Sequence, residues 1–121
     1  MFQSYPLTFQ PLIRERIWGG RKLASALGRD LGGVSRAGES WEISDRPEAQ
    51  SVVANGVYAG RTLRSLMEEF AAEILGAGAN CARFPLLIKW IDAAEKLSVQ
   101  AHPDVAGAER LSLWPSSASA W

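Results

Sequence analysis

Apolar residues recur at helical spacing between positions 62 and 75. Leu63, Leu66, Met67, Phe70 and Ile74 share one face, and Glu68, Glu69 and Glu73 fall mainly on the other. Thr62 is placed to cap this segment and Gly76 to stop it, so the pattern predicts a helix over 62–75. A shorter helix is expected over 21–27, with Leu23 and Leu27 on one face and Gly28 at its end. Elsewhere the period falls to two. Glu39 to Ser44 alternates, which predicts a strand with Trp41 and Ile43 on one face and Ser40, Glu42 and Ser44 on the other. Ser51 to Ala54 reads as a second short strand closed by the Asn55-Gly56 turn signal. The opening, with Pro6 and Pro11 among apolar residues, reads as extended chain with a strand at 8–13, and Trp18-Gly19-Gly20 as a turn. Leu86 to Ile91 is nearly all apolar apart from Lys89, as in a strand covered on both faces, and a strand is expected at 86–92. A last strand is expected at 97–102 and a turn of helix at 104–111.

A length of 121 residues allows one domain. Its 47% hydrophobic and 21% charged residues are ordinary for a soluble globular chain. Thirteen basic side chains balance thirteen acidic ones, so overall charge points to neither nucleic acid nor an anionic membrane. The balance hides a gradient: residues 1–38 are mostly basic among their charged positions, and 39–80 mostly acidic. The single cysteine, Cys81, has no disulfide partner within the chain and cannot build a Cys-rich zinc site, which suits a reducing cytoplasm. The opening residues lack the character of a signal peptide, and Phe84 to Ile88 is too short to span a bilayer. No nucleic-acid, membrane or disulfide partner is expected.

Candidate chemistry concentrates near the end. In 97–102, Leu97, Val99 and Ala101 point one way, and Ser98, Gln100 and His102 the other. Residues two apart on a strand lie about 6.6–6.8 Å apart, so an amide oxygen and an imidazole nitrogen can converge on a divalent metal. The same alternation also describes a half-exposed strand facing water, and zinc needs more than two ligands. His102-Pro103-Asp104 matches the J-domain tripeptide too, but there it joins two helices, whereas here it follows a strand pattern. Glu42 and Lys89 are candidates to line a site. Glu42 reads equally as a solvated carboxylate, and Lys89, set in an apolar strand, needs a partner or a way out to water. No catalytic acid or base is identified.

Five blocks resemble, in order, the bacterial type I mannose-6-phosphate isomerases: Glu15 to Gly20, Gly38 to Ser44, Ser51 to Gly56, Phe84 to Lys89 and Leu97 to Asp104. The resemblance implies a mainly β fold with helices, a partial cupin or jelly-roll-like β-barrel plus two α-helices. It implies a zinc enzyme interconverting mannose 6-phosphate and fructose 6-phosphate, with Gln100 and His102 as Zn2+ ligands and Ser98 at the substrate phosphate. The family continues with a Glu ligand and a later His. Here the Glu motif is replaced by Ser117-Ala118-Ser119-Ala120-Trp121, and His102 is the only histidine. The expectation is therefore a catalytic-domain portion over 1–111 followed by an atypical tail, 112–121. Truncated before the third metal ligand, such a chain is expected to be inactive alone. The alternative is a non-catalytic cupin-like module that binds sugar phosphate or a partner.

Overall fold

The computed structural model describes residues 1–99. The chain forms β1 (Leu12–Gly20), α1 (Lys22–Ser25), β2 (Ala37–Ile43), β3 (Asp45–Arg46), β4 (Ala49–Gln50), α2 (Leu63–Leu75) and β5 (Ile88–Ile91). A three-stranded antiparallel sheet runs in the order β1-β2-β5, and β3 and β4 pair as a small hairpin. Among the described residues the sheet is open at both edges rather than closed into a barrel. No helix among them is long and apolar enough to cross a membrane.

The expected helix over 62–75 is present. Thr62 Oγ1 accepts the Ser65 amide at 3.1 Å, satisfying a donor that the first helical turn leaves unpaired, and Gly76 leaves the helix with φ 91°. Leu63, Leu66, Met67 and Phe70 are buried, and Glu68, Glu69 and Glu73 are exposed. Leu66 and Phe70 pack with Val53 and Tyr58, and the N-terminal segment lies on them through Phe2, Tyr5, Leu7 and Phe9. Tyr5 and Tyr58 stack with centroids 5.9 Å apart, and the Tyr5 hydroxyl donates to Asn55 O at 2.9 Å. A second core of Leu23, Leu31 and Ala37, backed by Ile13 and Val34, fixes α1 and the loop after it against β1 and β2.

Four expectations change. The strand expected at 8–13 divides at Pro11, which has no N–H to give to a ladder. Before it, Phe9 bridges Val53; after it, β1 pairs with β2. Trp18-Gly19-Gly20 is no turn but the end of β1. At Gly19 and Gly38 the two strands come so close that a Cβ on either would meet the neighbouring strand, so these glycines serve close approach instead of reversal. Residues 51–54 form isolated bridges, Val53 to Phe9 and Val52 to Thr62, rather than a continuous strand, with backbone bonds to Thr8 and Gln10 on one side and to Gly60, Arg61 and Leu63 on the other. The hairpin Asp45–Arg46 with Ala49–Gln50 was not expected; Pro47-Glu48 turns it. Residues 97–99 adopt no regular structure, while 100–102 and the helical turn at 104–111 lie outside the described residues.

Candidate functional site

The strand β2 sits in the middle of the sheet, so its side chains meet neighbours from both sides. Register places Arg14 of β1 and Ile91 of β5 opposite Glu39, and Leu12 and Lys89 opposite Trp41. Paired residues share a face, so Arg14, Glu39, Trp41 and Lys89 gather on one side of the sheet. Glu39 is buried at 6% exposure and accepts three donors there. Trp41 Nε1 donates to Oε2 at 2.8 Å, Arg16 Nη2 to the same oxygen at 3.1 Å, and Lys89 Nζ to Oε1 at 3.0 Å. Burial alone pushes the Glu39 carboxyl up. The bonds from Trp41 and Lys89, with the charges of Lys89 and Arg16, outweigh that and hold it below its ordinary value. Above the Trp41 ring sits the Arg14 guanidinium, 4.8 Å from the centroid, and Lys89 Nζ lies 6.0 Å from it.

Two buried carboxylates locate the strand that delivers Lys89. Asp45, whose side chain is fully buried, accepts the Phe84 amide at 2.9 Å, Gln50 Nε2 at 3.0 Å and Arg64 Nη1 at 3.2 Å, fixing the approach to β5. Beyond β5, Asp92 accepts the Lys22 amide at 2.7 Å and gives its own N–H to Gly38 O at 2.8 Å. The side chains of β5 contribute less: Ile88, Trp90 and Ile91 are 44%, 54% and 51% exposed, so among the described residues this strand is not covered on both faces as its apolar run predicted.

Of the residues singled out from the sequence, Lys89 has the partner its apolar setting required. Glu42 lies on the opposite face, where it accepts Ser40 Oγ at 2.6 Å and Arg29 Nη2 at 2.8 Å. The structure does not bring Glu42 and Lys89 together. Ser98 is exposed, and Gln100 and His102 lie outside the described residues. No group of three or more His, Cys, Asp or Glu that could hold a metal occurs among the described residues. Sequence reasoning missed Glu39, although a signal was present: it has the same parity as Trp41, which puts a carboxylate on the apolar face of its strand.

This fold has a solved counterpart. The crystal structure of the mannose 6-phosphate isomerase from Bacillus subtilis superposes with a TM-score of 0.79 at 39% identity, over 91% of this chain and 34% of that one. With its mainly antiparallel strands and two helices, the chain is a partial cupin-type fold. The sequence model of the phosphomannose isomerase type I catalytic domain matches residues 7–117, and the chain belongs to that family. Mannose-6-phosphate isomerase ManA of Bacillus subtilis (strain 168) is 44% identical over 102 residues, 82% of this chain and 30% of that protein. Mannose-6-phosphate isomerase of Streptococcus mutans is 44% identical over 101 residues, 84% of this chain and 31% of the relative. The chain thus spans about a third of the length of the curated relatives it matches.

Proposed function

We propose that the chain supplies the N-terminal part of a zinc-dependent, cytoplasmic isomerase that interconverts mannose 6-phosphate and fructose 6-phosphate. The observation that carries this reading is the family match over 7–117, which runs through the Ser98-Val99-Gln100-Ala101-His102 segment. In it Gln100 and His102 are two zinc ligands and Ser98 contacts the phosphate. A neutral imidazole nitrogen and an amide oxygen suit a divalent cation, and they are fewer than the three protein ligands a catalytic zinc site keeps. Bound zinc would act as a Lewis acid toward the sugar oxygens. The reaction moves a proton between C1 and C2, which requires an acid/base group, and Glu39 is a fixed charge rather than a free base. Each carboxylate oxygen of Glu39 is already engaged by a donor.

The test is a hybrid in which this chain replaces the matching third of the Bacillus subtilis enzyme. The hybrid should hold zinc and interconvert the two sugar phosphates, and His102→Ala should remove the zinc and lower turnover by about a hundredfold or more, about 2.7 kcal/mol of barrier. A folded hybrid that keeps its zinc and its turnover in the His102→Ala form would overturn the assignment. A folded hybrid that binds sugar phosphate without turnover would favour a non-catalytic module.

A further inference from the structure

Asn55 precedes Gly56, and a side-chain amide is most open to attack by the following backbone nitrogen when that residue carries no Cβ. The structure shows why both residues stand there. Gly56 holds φ 64°, and a Cβ on it would fall on the Tyr5 ring, so the seat of Tyr5 excludes a larger residue. Asn55 Oδ1 accepts the Thr8 amide at 2.9 Å and Asn55 Nδ2 donates to Pro6 O at 2.9 Å. The seat of residues 6–8 thus needs an acceptor and a donor on one side chain. These bonds also hold the amide away from reaction. Closing a five-membered ring onto Asn55 Cγ requires the Gly56 nitrogen to swing toward Cβ, and ψ of 164° at Asn55 leaves it well out of that ring plane. Turning ψ would carry Asn55 O off the Tyr5 hydroxyl that donates to it.

We propose that Asn55 is a self-modification site kept closed by the N-terminal segment: its amide persists while residues 5–8 are seated and deamidates once they lift. In the open chain the Gly56 nitrogen bonds to Asn55 Cγ, the Cγ–Nδ2 bond breaks, and Nδ2 leaves as ammonia with the proton that Gly56 gives up. Water then opens the cyclic imide at either carbonyl, leaving aspartate or isoaspartate with nothing oxidised or reduced. Refolding does not undo the change. Aspartate sets an oxygen against Pro6 O where a donor stood, and isoaspartate adds a methylene to the main chain. Either product denies the segment its seat, and Phe2, Tyr5, Leu7 and Phe9 lose their place on Val53, Tyr58, Leu66 and Phe70. A transient local opening thereby becomes a permanent mark.

Timed peptide mass spectrometry of the purified chain at mildly alkaline pH tests this, with isoaspartyl methyltransferase labelling to detect isoaspartate. Asn80 is the other asparagine, exposed and followed by Cys81, and serves as the internal reference. Relative to Asn80, Asn55 should react about a hundredfold slower in the folded chain than in urea. Tyr5→Phe keeps the ring but loses the bonds to Asn55 O and from the Tyr58 amide. It should raise the Asn55 rate in the folded chain about tenfold and leave Asn80 unchanged. Asn55→Asp should speed protease cleavage within residues 1–9 and change the near-ultraviolet circular dichroism of the tyrosines. Where that variant fails to fold, folded wild type aged to partial conversion is read instead, and cleavage should fall first on the converted molecules. Equal Asn55-to-Asn80 ratios in folded and urea-unfolded chain, or a Tyr5→Phe chain that converts no faster than wild type, overturn the gating. Converted or Asn55→Asp chains cleaved no faster than wild type overturn the loss of the seat.

Discussion

Replacing Glu39 with glutamine removes one negative charge from the centre of the sheet with little change in shape. The wild-type carboxylate serves three donors at 2.8–3.1 Å while its side chain is only 8% exposed. A glutamine oxygen in the place of Oε2 can still accept from Trp41 and Arg16, but its NH2 then faces Lys89, donor against donor. At least one charge-assisted hydrogen bond is lost, and such bonds contribute about 1.5–3 kcal/mol. The released Lys89 ammonium is 29% exposed and can turn toward water, so the lower part of that range applies, about 2 kcal/mol. For a domain of this size that is a fall of roughly 10 °C in melting temperature at neutral pH. The pH dependence has a definite sign. The folded carboxyl titrates below its ordinary value of 4.5, so its contribution is complete above the unfolded value and drains away as pH falls through the lower folded one. Thermal melts followed by circular dichroism, wild type against Glu39→Gln, should differ most above that value and converge in acid. A variant that melts within about 2 °C of wild type at neutral pH, with a parallel acid profile, would refute the reasoning.

Two further substitutions probe what holds the site's surroundings. Thr62→Ala removes the oxygen that accepts the Ser65 amide and should cost about 1 kcal/mol, read by urea denaturation as a lower midpoint with unchanged slope. Gly56→Ala should cost about 2 kcal/mol or more, because Gly56 has φ 64° and its new methyl would be driven into the Tyr5 ring. Near-ultraviolet circular dichroism should report the displaced tyrosine, and an unchanged spectrum and midpoint would count against the close seating of Tyr5.

What the sequence disclosed follows from which forces are local. The long helix was legible because its cap, apolar face and stop lie within fifteen residues, and each is a short-range signal. The parity of Trp41 and Ser40 was legible for the same reason. Partner choice was not. Gly19 and Gly38 are nineteen residues apart, and a glycine needed for close approach looks in sequence like one needed for a turn. Pro11 marks the point where the chain changes neighbours, which depends on where residues 52–54 lie. For the site, the lone lysine in an apolar run pointed to either a partner or a way out to water, and Lys89 has a partner in Glu39. That the counter-charge would be Glu39, fifty residues earlier, depends on β2 pairing with β5, which no local pattern encodes.

The way β5 is held has a consequence for variation. Pairing with β2, backed by the bond to Asp45 ahead of the strand and the Asp92 bonds just beyond it, determines where Lys89 sits, and the exposed side chains of Ile88, Trp90 and Ile91 take little part. Placement of the ammonium and identity of the surface are therefore nearly independent quantities. Drift at position 90, which pairs with Ser40 on the other face, can remodel what that side of the sheet recognises while the distance from Lys89 to Glu39 stays as it is. The reverse does not hold: a change at Asp45 or Asp92 shifts the charge cluster even when every residue within it is retained.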